Sequence, residues 1–155
     1  MRIAIYLVAA AVALGLALFT YLSIDSRKAR ETGLLNGKLR PCPGTPNCVV
    51  SEDSGKDSYI EPLTFSGGPG AAWEQAKEAL TELGGRIEKD TGDYLWATFR
   101  SRIWRFVDDT ELRLDTVGKV IHVRSASRVG KGDLGVNRKR VERLRKSFKA
   151  RRLGA

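Results

Sequence analysis

The stretch VRSASRVGKGDLGVNRKRVERLR, residues 123–145, sets two serines between two arginines, then an aspartate between glycines, then a run of cations. Residues of these types could do three kinds of chemistry. A serine with a base could attack an acyl or phosphoryl centre, paired carboxylates could move a proton, and arginines beside a helix N-terminus could hold an anion. Spacing weighs against the first two. The sole histidine, His122, has the opposite strand parity to Ser125 and Ser127, so imidazole and hydroxyls point to opposite faces. Asp108 and Asp109 are adjacent in a strand and point apart, which does not make an acid/base dyad. The loop GKGDLG lacks the lysine–hydroxyl pair of a phosphate-cradling loop. A hydrolase-type site at Asp108, Ser125 and Asp133 is therefore the lesser alternative, and anion or polar-ligand binding the leading one.

Two strands must position these groups: RFVDDTELRLD and KVIHVRSASR, joined by the turn TVGK. Period two puts Phe106, Asp108, Thr110, Leu112 and Leu114 on one face of the first, and Val107, Asp109, Glu111 and Arg113 on the other. In the second, Ile121, Val123, Ser125 and Ser127 oppose His122, Arg124, Ala126 and Arg128. Matching the apolar faces pairs Leu112 with Val123, Glu111 with Arg124 and Arg113 with His122. The plainest reading of Asp109, Glu111 and Arg124 is a solvated ladder of ion pairs, each contributing ~0.2–1 kcal/mol. The apolar face, however, turns polar at one end, where Leu112 gives way to Thr110 and Asp108, and Val123 to Ser125 and Ser127. Asp108, Ser125, Ser127, Arg128, Asp133, Asn137 and Arg138 are expected to converge there. They would either lock the following loop onto the sheet or bind a small polar or anionic ligand.

The rest of the domain follows from periodicity. RIEKD and YLWATFR precede the two strands across short turns, which makes a four-stranded antiparallel meander. Residues 71–83 form a helix whose stripe is Trp73, Ala76, Leu80 and Leu83, ended by Gly84-Gly85. YIEPL is a candidate edge strand, weakened by Pro62. A last helix begins near residues 134–137 with Val141, Leu144 and Phe148 inward. The predicted class is α+β: a four- to five-stranded antiparallel sheet with two helices on one face, over residues 59–150. Residues 151–155 are read as a basic tail.

The N-terminal part is different in kind. Residues 3–24 carry no charge and no proline, the length a membrane-spanning helix needs, so residues 1–24 are read as an anchor. A cleaved signal peptide is the rival, but its apolar core is shorter and LSIDS is a poor cleavage site. Residues 25–58 read as a polar linker holding the cysteine loop RPCPGTPNCVVS. The protein's two cysteines, Cys42 and Cys48, stand there across a turn-like gap. A disulfide in an oxidising compartment fits best, with reduced thiols or a redox or metal role remaining open. The cations after the span favour a cytoplasmic domain and the cysteines an external one; the expectation follows the cysteines.

Net charge is +9, and residues 137–152 hold nine basic residues against one acid, Glu142. That helix could be simply solvated, or it could be drawn to anionic lipid headgroups. Nucleic acid is set aside, because no recognition fold accompanies the charge.

LRPCPGTPNCVVS, RFVDDTELRLD and IHVRSASRVGKGDLGVNRKRVERLR together resemble the family called domain of unknown function 1499, over residues 39–145. The residues that carry the likeness include Cys42, Pro43, Pro46, Asn47, Cys48, Phe106, Asp108, Asp109, Glu111, the run from Arg124 to Arg128, Gly130, Asp133, Gly135, Asn137 and Arg138. The resemblance implies a membrane-tethered or exported domain of bacteria and plant plastids, and no known activity. The combined expectation is a single-pass protein of the bacterial inner membrane with a periplasmic domain. It would be a non-catalytic module binding anionic lipid or a small polar ligand, or an accessory subunit with a membrane-protein partner. No cofactor or metal is called for.

Overall fold

The computed structural model describes residues 2–52 and 57–153. In chain order the elements are α1 (Arg2–Asp25), β1 (Leu34–Leu35), β2 (Lys38–Leu39), β3 (Cys48–Val50), β4 (Leu63–Thr64), α2 (Pro69–Glu82), β5 (Arg86–Asp90), β6 (Tyr94–Arg100), β7 (Val107–Asp115), β8 (Val120–Ser127) and α3 (Val136–Leu153). The end of the 151–155 tail lies outside the described residues. The fold is α+β, as the alternation of periods predicts.

The sheet has six strands in the order β3-β8-β7-β6-β5, with β4 also paired to β8. All these pairings are antiparallel. The β7–β8 register matches Leu112 to Val123, Glu111 to Arg124 and Arg113 to His122, as the apolar faces require. Two strands enlarge the expected sheet. β3 comes from the segment read as linker and starts at Cys48 itself. β4 lies after Pro62, not before it, while Tyr59 makes only a single parallel bridge to Val50. Both add to the outer edge of β8.

α2 begins with Pro69, whose missing N–H is no loss in a first helical turn. It ends where Gly84 takes φ +89° and Gly85 donates to the Leu80 carbonyl. A Cβ on Gly85 would stand 2.8 Å from that oxygen, so the turn into β5 requires a glycine there. Ala72, Trp73, Ala76, Ala79 and Leu80 form its buried stripe. α3 buries Val141, Leu144 and Phe148. These helices cover one sheet face, where Leu95, Ala97, Phe99, Leu112, Ile121 and Val123 complete the core.

The opposite face is covered too, and here the expectation of a solvated ladder is corrected. Glu111 is fully buried, and Asp109, Arg124 and Arg128 are at least nine-tenths buried. The chain between α1 and β3 runs across them, with Leu39 and Val50 packing on Tyr94 in a small second cluster. The Cys42–Cys48 disulfide, with Cα atoms 5.7 Å apart, closes the last turn of that cover.

Candidate functional site

The nine residues singled out by the sequence do not gather at one point. Parity divides them between the two faces of the sheet.

On the helix face, Ser125 is fully buried beneath the start of α3. Its hydroxyl donates to Asn137 Oδ1 at 2.7 Å and accepts from Arg140 Nη1 at 3.0 Å, with Thr110 Oγ1 3.2 Å away. Asn137 Nδ2 donates to the Asn47 carbonyl, Ser127 Oγ and Asp133 Oδ2. Asp133 also accepts from the backbone N–H of Gly135 and of Asn137, which starts the helix. Asp108 pairs with Arg140, whose guanidinium also lies 4.7 Å over the Phe99 ring. This cluster ties the loop after β8, the cysteine loop and α3 to one spot. Every hydroxyl and amide in it has a partner, and the Ser125 hydroxyl is enclosed rather than presented. The sequence reading counted Arg140 only as part of a basic helix. Its position three residues after Asn137, on the inward face, was the available signal.

On the opposite face, Glu111 accepts at Oε1 from Tyr94 Oη and from the Gly33 N–H, both at 2.7 Å, and at Oε2 from Arg124 Nη1 at 2.8 Å. Burial, together with this carboxylate, pushes the Tyr94 phenol well above its ordinary value. The Asp109 carboxylate receives Arg128 through both oxygens, at 2.7 and 2.8 Å, and the Trp96 indole N–H at 2.8 Å. Arg128 Nη1 also donates to the carbonyls of Ser26, Arg27 and Lys28. Those carbonyls lie in the turn just past the end of α1. Ser26, itself fully buried, accepts the Val107 N–H on its hydroxyl. The strand motif thus clamps the outgoing end of α1 to the domain.

Further along this face, Arg113 forks onto Glu52. Burial pushes the Glu52 carboxyl up, but Arg113 and the Leu39 N–H outweigh it and hold it below the usual range. His122 lies beside this pair. Burial, aided by Arg113 and Lys38, keeps its imidazole below the ordinary value, against the pull of Glu52 and Asp115. Ser51 Oγ accepts the Val123 N–H and lies 3.1 Å from His122 Nδ1, a geometry that suits a neutral ring accepting the hydroxyl proton.

Two cavities flank the cysteine loop. One, of about 530 Å³, opens between the end of α1 and the sheet. Leu22, Asp25, Arg30, Glu31, Asn47, Asp109, Arg124, Ser127, Arg128 and Lys131 contribute to its wall. Among the described residues, the buried Arg124 Nε has no hydrogen-bond partner and the exposed Lys131 makes no ion pair. The other, of about 500 Å³, is walled partly by Asp133 and Arg138. Arg138 is spent on the carbonyls of Asp57 and Tyr59. Among the described residues, no group of three or more histidine, cysteine, aspartate or glutamate side chains is placed to hold a metal ion.

α1 is the one helix among the described residues long and apolar enough to cross a membrane. It has 24 residues, and an 18-residue window averages a hydropathy of 2.4 with none of it buried. An apolar N-terminal helix, clamped by buried ion pairs to an α+β domain, defines the class. A family model described as protein of unknown function (DUF1499) matches residues 38–148, and the chain belongs to that family. A comparison with curated proteins finds no match. The family match spans β2 to most of α3 and so includes the strand and helix residues of both clusters, but not α1, Gly33 or the carbonyls that Arg128 holds.

Proposed function

We propose that the protein is a non-catalytic, membrane-anchored module of the cell envelope that binds an anionic lipid headgroup at the junction of α1 and the sheet. The observation that carries this reading is the 530 Å³ cavity at that junction. Its size suits a small ligand. Its wall offers four cations against three carboxylates: Arg30, Arg124, Arg128 and Lys131 against Asp25, Glu31 and Asp109. It also starts at Leu22, the last turn of the apolar helix, the level at which a phosphate would sit if α1 spans a bilayer. Lys131, exposed on that wall, is the donor best placed to gain a partner.

The clamp on Ser26, Arg27 and Lys28 supports a retained anchor over a cleaved leader, since cleavage near LSIDS would leave these acceptors on a loose chain end with no helix before them. The disulfide supports placing the domain on the oxidising side of the membrane.

The test is native mass spectrometry of the full chain released from phosphatidylglycerol–phosphatidylcholine nanodiscs. The expected result is retained phosphatidylglycerol in preference to phosphatidylcholine. Lys131→Glu, on an exposed side chain, should lower that occupancy roughly tenfold without moving the melting temperature, the loss of one charge-assisted contact. Equal retention of both lipids, or no response to Lys131→Glu, would contradict the reading. Competition by inorganic phosphate but not by lipid would shift the ligand to a free anion.

A further inference from the structure

The β6–β7 connection, residues 101–106, reads SRIWRF. It is a hairpin loop that carries an isoleucine and a tryptophan outward. Ile103 is 83% exposed. The loop has a fixed shape: Ser101 N–H donates to the Phe106 carbonyl, Phe106 N–H donates to Ser101 Oγ, and Arg105 takes φ +60°. Trp104 is half-buried. It stacks on Phe19 of α1, with ring centroids 4.8 Å apart and planes inclined by 28°, and Phe106 approaches the same ring at 6.2 Å.

Phe19 lies six residues before Asp25, the last residue of α1. At a rise of 1.5 Å per residue that is about 9 Å back along the helix. It is also deeper than Tyr21, the aromatic residue nearest the outgoing end. A bilayer that covers the apolar length of α1 must therefore also meet the ring stacked on Phe19. We infer that residues 101–106 form a second membrane element, a wedge that carries Ile103 and Trp104 into the leaflet beside α1, with Arg102 and Arg105 at the anionic headgroups. The inference rests on α1 being a membrane span.

Three observations support a lipid occupant over a protein one. The exposed Ile103 continues the lipid-facing surface of α1 through the Phe19–Trp104 stack. An aromatic ring flanked by exposed arginines is the composition of a bilayer interface. The two hydrogen bonds that close the loop present the wedge already ordered, so that insertion carries little conformational cost.

The experiment places the environment-sensitive fluorophore NBD on single introduced cysteines in the full, disulfide-intact chain, reconstituted in phosphatidylglycerol–phosphatidylcholine vesicles. Ile103→Cys reports the wedge and Val12→Cys the middle of α1. Val117→Cys, 94% exposed, reports the far end of β7, about 30 Å away. Quenching is read with doxyl groups on the lipid acyl chains and with aqueous iodide. The expected result is strong doxyl quenching and little iodide quenching at positions 12 and 103, and the reverse at 117. If position 12 is embedded while position 103 behaves like 117, the wedge is overturned and the anchor stands. If position 12 is itself open to iodide, the span and the wedge fall together.

Discussion

The two faces of the sheet solve the same burial problem with opposite chemistry. The face under α2 and α3 is covered by elements with their own apolar stripes, so Leu95, Leu112, Ile121 and Val123 meet Trp73, Ala76, Leu80, Val141, Leu144 and Phe148. The other face is covered by a short, polar stretch with few apolar side chains to offer. Charges buried there must bring their own partners, and they do, as Arg124–Glu111, Arg128–Asp109 and Arg113–Glu52. The first face makes the domain stable. The second joins it to the end of α1, and its polar groups lie beside a cavity.

The largest expected effect comes from breaking the clamp. Arg128→Ala leaves Asp109 buried with only the Trp96 N–H and deprives three carbonyls of their donor. Urea unfolding of the full chain should show a loss of about 3–5 kcal/mol. Much of that loss should be recovered when Asp109→Asn is added, since the orphaned charge is then gone. A loss under 1 kcal/mol would mean that the pair is decorative.

A smaller effect follows from opening the cover. Reducing Cys42–Cys48 frees a loop of only a few residues, and chain entropy puts that at about 2 kcal/mol. Since β3 begins at Cys48, the loss should come with faster amide exchange at Val49 and Val50, while the α2–α3 side keeps its protection. Uniform exchange on both sides would erase the contrast between the faces.

The smallest effect is a pH dependence whose upper stage belongs to the charged face. The His122 imidazole is held below its ordinary value of 6.5, so the folded chain binds fewer protons than the unfolded one, and stability falls as pH drops through about 6.5. Glu52 is held below 4.5, so a further loss begins as pH falls below about that value, where the unfolded carboxylate takes up its proton first. Melting temperature against pH should therefore decline in two stages on acidification. His122→Gln should remove the upper stage, and Glu52→Gln should shrink the lower, to which Asp90 and Asp115 also contribute. A melting temperature that rises between pH 7 and 5 would reverse the sign argued here.

Much of this architecture is legible in the sequence, and its limits have physical causes. Period two in RFVDDTELRLD and KVIHVRSASR fixes which side chains share a face and which cross-strand pairs form, because a slip of one residue would turn Leu112 and Val123 outward. The helix stripes are equally plain. β1 to β4 are two or three residues long, in turn-rich sequence, and no periodicity can appear over so short a run. The pairing of Asp108 with Arg140 across 32 residues, and the reach of Arg128 back some hundred residues to the end of α1, depend on how elements meet in space. The burial of Glu111 could not be read locally, because what covers it is polar by composition.

The Arg128 clamp joins α1 and the domain into one unit. Pulsed spin-label distances between Val12→Cys and Val117→Cys, in the full chain in bilayers, test it most directly. The prediction is one narrow distance distribution for the wild-type background, broadened by Arg128→Ala even where the domain remains folded. A broad distribution in the wild-type background would contradict the clamp, and would remove the geometric basis for both the junction cavity and the wedge.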